Sequence, residues 1–183
     1  MATAMTGSFY LTESVQIPAA TASGIVTSGT VDLSAYVNVP TGQAIAIDSV
    51  DFIYQTTAPF GQTASSMVAG NGAISVQLTD LNQGNLLVRA DNQSLVASGS
   101  LNIDQANNVA TNDVDIYPDN FGGKASLSNS FMVVNDSLFL SAMPSGTTIG
   151  ANAVVVTARI RCSVVKLSSS DWVAIAIQAT AEA

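Results

Sequence analysis

A chain of 183 residues with 48% hydrophobic but 10% charged side chains can bury a core as one domain without disulfides, and Ser, Thr, Asn, Gln and Gly must supply most of its polar surface. The formal net charge of −8, with no basic tail or patch, argues against direct binding to a phosphate backbone, which needs Lys and Arg to release counterions. The absence of His removes Ser and Cys hydrolase triads, most zinc sites and the usual proton shuttle, and the single cysteine, Cys162, excludes an internal disulfide.

The first predicted element is the strand FYLTESVQI, in which Phe9, Leu11, Val15 and Ile17 alternate with Tyr10, Thr12, Ser14 and Gln16 before Pro18 ends it. Residues 1–17 thus read as an N-terminal strand. A second strand, VDLSAYVNV, puts Val31, Leu33, Ala35, Val37 and Val39 inward, and Pro40-Thr41-Gly42 closes it. In AIAIDSVDFIY, Ile45 and Ile47 hold one parity, but Val50, Phe52 and Tyr54 hold the other. That phase slip near Asp48 and Ser49 predicts a β-bulge or a sharp bend.

Residues 55–72 read as a long loop, of a length usually reserved for function or interfaces. AISVQLT resumes the alternation through Ile74, Val76 and Leu78, DLNQGN is a turn leading into LLVRA, and SLVASGSLNID is a weaker strand interrupted by Gly99. The stretch QANNVATNDVDIYPDNFGGK places turn formers around a short VDIY strand, and SFMVV and SLFLSA flank Asn135-Asp136 as a tight hairpin.

After a Pro144-Ser145-Gly146 turn comes the stretch around which the chain is organised, NAVVVTARIRCSVVKL, from Asn152 to Leu167. Val154, Val156, Ala158, Ile160, Cys162 and Val164 share one parity, and Thr157, Arg159, Arg161 and Ser163 the other. The tail SSSDWVAIAIQATAEA changes character. Ser169 or Ser170 suits an N-cap, Asp171 a first helical turn, and Trp172, Ile175 and Ala179 form a stripe, so a helix within 168–183 is expected, with a final strand WVAIAIQ as the competing reading.

About 8–10 strands with turn signals roughly every ten residues predict an all-β sandwich or barrel, and a single jelly-roll domain over 1–183 is the topology expected. Eleven of the thirteen acidic residues are Asp, a turn former, which fits a β-rich chain. The N-terminus has no basic region followed by an apolar one, and no run approaches the roughly 20 apolar residues of a membrane span, so a protein made and left in the cytoplasm is expected.

Candidate sites are few, and no Gly-rich phosphate loop is present. Asp113, Asp115 and Asp119 form the one acid cluster with the oxygen chemistry of a structural Ca²⁺ site, against the alternative of a solvated turn, and no other cofactor is expected. Arg159 and Arg161 read either as a half-solvated strand face or as arginines reaching Asp side chains of a neighbouring subunit. They are interface candidates, together with Phe60 and Met67 in the 55–72 loop.

The segments VDLSAYVNVPTGQAIAIDSVDFIYQ, VNDSLFLSA and VVVTARIRCSVVKLSSSDW resemble the small single-jelly-roll major capsid proteins of tailless icosahedral viruses of bacteria and archaea. The likeness covers most of the chain in strand order and style and rests on no diagnostic motif. It implies a non-enzymatic virion protein that self-assembles into an icosahedral shell in the host cytoplasm. Its partners would be copies of itself in capsomers, a second capsid or vertex protein, and an internal membrane layer rather than the genome. Two other classes stand beside it: a filament subunit of a cell-surface fibre that donates strand 1–17, and a lectin-like soluble jelly roll.

Overall fold

The structure, a computed structural model, describes residues 2–57, 63–111 and 131–180. In chain order these form β1 (Thr3–Ala4), β2 (Phe9–Ile17), β3 (Thr27–Asp32), β4 (Gln43–Thr56), β5 (Gly72–Thr79), β6 (Leu95–Asp104), β7 (Val109–Thr111), β8 (Phe131–Val133), β9 (Ser137–Ser145), β10 (Val154–Lys166) and the helix α1 (Ser169–Thr180). Two five-stranded antiparallel sheets result. In the first, β10 lies between β2 and β4, β1 continues beside the end of β10, and β8 flanks β4. The second runs β3-β9-β5-β6-β7.

With β1 and β7 set aside, the pairing is nested. The first strand pairs with the last (β2 with β10), the second with the seventh (β3 with β9), the third with the sixth (β4 with β8), and the fourth with the fifth (β5 with β6). A hairpin rolled over on itself in this way is a jelly roll, the all-β fold expected, and it closes with a short C-terminal helix.

The long strand is central because strands flank it on both sides, β4 along its whole length and β2 along most of it. Val154 to Cys162 pair with β2, and Val154 to Lys166 pair with β4. Its predicted apolar parity is buried throughout, facing Ile74, Val76, Leu78, Leu138 and Leu140 of the opposite sheet across one core. The phase slip in β4 is a bulge. Arg161 lies opposite Ser49 and Cys162 opposite Ile47, so Asp48 is the extra residue of the bulge. The bulge lets Ile45 and Ile47 before it, and Val50, Phe52 and Tyr54 after it, all face the same core.

Three local expectations change. The second strand is Thr27–Asp32, not 31–39. It ends at Asp32 because the carboxylate accepts the Ser34 backbone N–H at 2.8 Å, an Asx turn that turns the chain out of the sheet. Val39–Thr41 form a single 3-10 turn closed by Gly42 at φ 70, where a Cβ would also meet the Leu167 carbonyl oxygen at 2.7 Å. Asn135-Asp136 is not a hairpin, since β8 belongs to the first sheet and β9 to the second. The link is held across the sandwich instead: Asn135 Nδ2 donates to the Asp80 carbonyl at 3.0 Å, and the Leu33 N–H to the Asp136 carbonyl at 2.7 Å.

Gly99 does not interrupt its strand either. β6 runs through it, and the missing side chain makes room for the Phe52 ring, which would lie 3.1 Å from a Cβ there.

Cys162 is fully buried, and burial first, with the charge of Asp48 second, pushes its thiol up to about 12. Native protein is therefore expected to resist thiol reagents at pH 8, with labelling only as fast as global unfolding. Labelling that outpaces unfolding followed by Trp172 fluorescence would show instead that the core opens locally at the bulge.

Candidate interaction surface

The two outer sheet faces are treated differently. On the second sheet, Ser75, Gln77, Thr79, Ser98, Ser100 and Ser141 are buried although they are polar, and residues 80–94 fold across Ser75, Gln77, Thr79 and Ser98. Gln77 pins that segment in both directions: its Nε2 donates to the Val88 carbonyl at 2.8 Å, and its Oε1 accepts the Val88 N–H at 2.7 Å. A cavity of about 230 Å³ remains beneath, lined among others by Ser75, Leu87, Arg89 and Ser98.

On the first sheet, the end nearest Lys166 is covered by α1. Trp172, Ile175 and Ala176 pack on Ala44, Ala46, Val134, Val165 and Leu167, forming a second, smaller core. Helix rather than strand is the outcome for the tail because this outward face of β4 and β10 needs a lid, and the i, i+3, i+4 spacing of these three residues presents one.

The other half of that outer face is left bare among the described residues. Tyr10, Thr12, Ser14 and Gln16 of β2, Thr157, Arg159 and Arg161 of β10, and Ser49, Asp51, Ile53 and Gln55 of β4 share it by register. Tyr10 is 54% exposed and Ile53 36%. The Arg159 guanidinium lies 5.1 Å from the centroid of the Tyr10 ring, a cation–π contact that flattens both side chains along the surface. Ser14 and Thr157 hydroxyls bond to each other at 2.8 Å.

Of the residues nominated from sequence, Arg159 and Arg161 sit together on this face, Arg159 exposed and Arg161 half-buried. Met67 does not join them. It is 6% exposed and fills the main core beside Val68, whose strand bridge to Ile149 anchors the end of the 55–72 loop inward. An apolar residue in a loop is ambiguous by sequence, and here the core has claimed it. Phe60, the VDIY strand and the Ca²⁺ candidates Asp113, Asp115 and Asp119 lie outside the described residues. Among the described residues no group of three or more acids or cysteines could hold a metal, and no helix is long and apolar enough to cross a membrane. The sequence matches no protein-family model and no curated protein.

Sequence reasoning passed over Tyr10 and Ile53, although both are large apolar residues on the polar parity of their strands, which was the available signal. It also passed over Asp80. This residue looked like an ordinary turn former, yet it is 4% exposed, and its Oδ1 has no hydrogen-bond partner among the described residues. Burial pushes its carboxyl up to about 6. Tyr54 is a second orphan: its buried phenol oxygen lacks a partner among the described residues, and desolvation raises its pKa well above the usual range.

Proposed function

We propose that the chain is the structural subunit of a self-assembling shell, a virion coat protein of the single-jelly-roll kind, and that it works by association rather than by catalysis. Jelly rolls serve lectins and enzymes as well, so fold class alone carries little of the weight. The supporting observation is the bare half of the first sheet. The Lys166 end of the first sheet lies under α1 and part of the second under residues 80–94, whereas here a face of Thr, Ser and Gln with Arg159, Arg161 and Asp51 is left open, among the described residues, around the exposed Tyr10 and Ile53. The hydroxyls and amides of this face hold water less strongly than Lys or Glu, and Tyr and Arg are common interface anchors. A chain with 10% charged residues has few charges to oppose contact between copies.

On this reading the primary partner is a second copy of the chain in capsomers, with a second coat or vertex protein and an internal membrane layer as further neighbours, and the acidic subunit makes no direct contact with the genome. The test is negative-stain electron microscopy of the purified chain beside a light-scattering mass, across protein and salt concentration and with and without Ca²⁺. Closed shells, sheets or discrete capsomers are expected. Linear fibres would point to a strand-exchanging filament subunit, and a monomer under every condition would replace the coat reading with a soluble binding domain.

A further inference from the structure

We propose that the cavity between the second sheet and residues 80–94 is a binding site for a small aliphatic carboxylate, held by Arg89 and the Ser98 hydroxyl. The cavity measures about 230 Å³, and around it stand Leu87, Val88 and Arg89 of the covering segment and Gln77, Ser98 and Met143 of the sheet. By register Ser98 lies opposite Gln77 and Met143 opposite Ser75, so the floor is built from three adjacent strands.

The Ser98 hydroxyl is the group that asks for an occupant. Ser98 is 5% exposed, and its Oγ has no hydrogen-bond partner among the described residues. A buried hydroxyl in that state is destabilising unless something in the cavity bonds to it. Gln77 does not serve it, because both ends of its amide are bonded to the Val88 backbone. The Ser75 hydroxyl is bonded to that of Ser145 at 3.3 Å.

Charge and shape set the class of ligand. Arg89 is the one charged residue that lines the cavity, it is exposed, and it forms no ion pair among the described residues. Asp91, two residues along, is not part of the lining. The Gln77–Val88 contact brings Ser98 and Arg89 to one place, Ser98 as the cross-strand neighbour of Gln77 and Arg89 as the chain neighbour of Val88. A carboxylate there accepts hydrogen bonds from the guanidinium and from the hydroxyl. Leu87, Val88 and Met143 give the rest of the cavity apolar walls, which suit an aliphatic tail. At roughly 30 Å³ for each non-hydrogen atom, a water's share of the liquid, the space holds about seven or eight atoms, the size of a six-carbon acid.

Hexanoate is the probe, and saturation-transfer difference NMR reads it on single subunits and on assemblies alike. Half-saturation is expected at about 1 mM. Arg89→Gln alters an exposed group and Ser98→Ala an unbonded one, so both variants are expected to melt within a few degrees of wild type. Arg89→Gln should weaken hexanoate roughly tenfold and Ser98→Ala severalfold, while Lys166→Gln, which removes a cation outside the cavity, should leave the affinity unchanged. Hexanol, with the tail but no charge, and inorganic phosphate, with charge but no tail, should each bind at least tenfold more weakly. No transfer to hexanoate at roughly 20 mM would overturn the proposal and leave ordered water as the partner of Ser98. Equal weakening by Lys166→Gln, or none by either cavity variant, would overturn the cavity as the site. Equal affinity for hexanol would overturn the carboxylate, and equal affinity for phosphate the aliphatic tail. Each of these failures leaves the coat reading standing.

Discussion

Insertion of one alanine between Asp51 and Phe52 is expected to destabilise the fold by several kcal/mol, whereas deletion of Asp48 should leave a protein that still folds and melts cooperatively. The reason is phase. Ile47 and Val50 face the same core with Asp48 and Ser49 between them, so removing the extra residue leaves Ile47, Ser49 and Val50 in unbroken alternation opposite Cys162, Arg161 and Ile160. An added residue after Asp51 has no such slack and turns Phe52 and Tyr54 away from the core that now holds them. Burying each such side chain contributes roughly 1.5–3 kcal/mol, so losing both consumes much of the ~5–15 kcal/mol by which a domain of this size is stable. Thermal melts followed by far-UV circular dichroism, with one-dimensional proton spectra for tertiary order, read the outcome. An insertion variant that melts cooperatively near the wild-type temperature would show that β4 absorbs the added residue in a second bulge.

Replacing Asp80 by Asn should stabilise the protein at neutral pH and flatten its pH dependence. The Asp80 carboxyl sits at the end of β5, where the Ser94 carbonyl accepts its backbone N–H at 2.9 Å and its own carbonyl is bound by Asn135, while Oδ1 is left without a partner among the described residues. With the folded carboxyl at about 6 against an ordinary value of 3.8, the native state holds the proton more tightly than the unfolded chain does. Its contribution is therefore fully present below about pH 3.8 and lost as pH rises through about 6. At pH 7 to 8 the ionised, partly screened carboxylate costs the fold about 1–2 kcal/mol, which the neutral Asn avoids. Urea unfolding at pH 4, 5, 6, 7 and 8 should show the two proteins close together at pH 4, separating between about pH 4 and 6, and differing by a constant amount at pH 7 and 8. A constant difference across the whole series would mean that Asp80 ionises in the fold as it does in water.

Asp80 also marks a boundary of sequence reasoning. LTDLN has the chemistry of a turn, and it is one, but nothing local says that a link between two other strands, carrying Asn135, will pass over it and shut out water. Asn135-Asp136 itself shows the same limit. Two polar residues between apolar runs suit a hairpin, and they suit equally a link that carries the chain from one sheet to the other. Only the partners of β8 and β9, which are β4 for the one and β3 and β5 for the other, decide between these. Gln77 reads as solvent-facing, yet it is buried under 80–94, since a polar side chain buries readily when a backbone, here that of Val88, offers it hydrogen bonds.

By itself the sequence determined the parts that one strand settles alone. These are the buried parity of β10, the extent of β2, the extra residue at Asp48, the switch to helix after Lys166, and the all-β class that follows from them. Alternation records whether one side of a strand meets a core, and that is a local property. The tertiary structure decided which sheet each strand joined, that β3 begins at Thr27, that Met67 turns inward, and that the arginine-bearing half of the first sheet is left without a lid among the described residues. Those outcomes depend on what lies opposite, brought there by residues far along the chain, and no window of sequence contains both sides of such a contact.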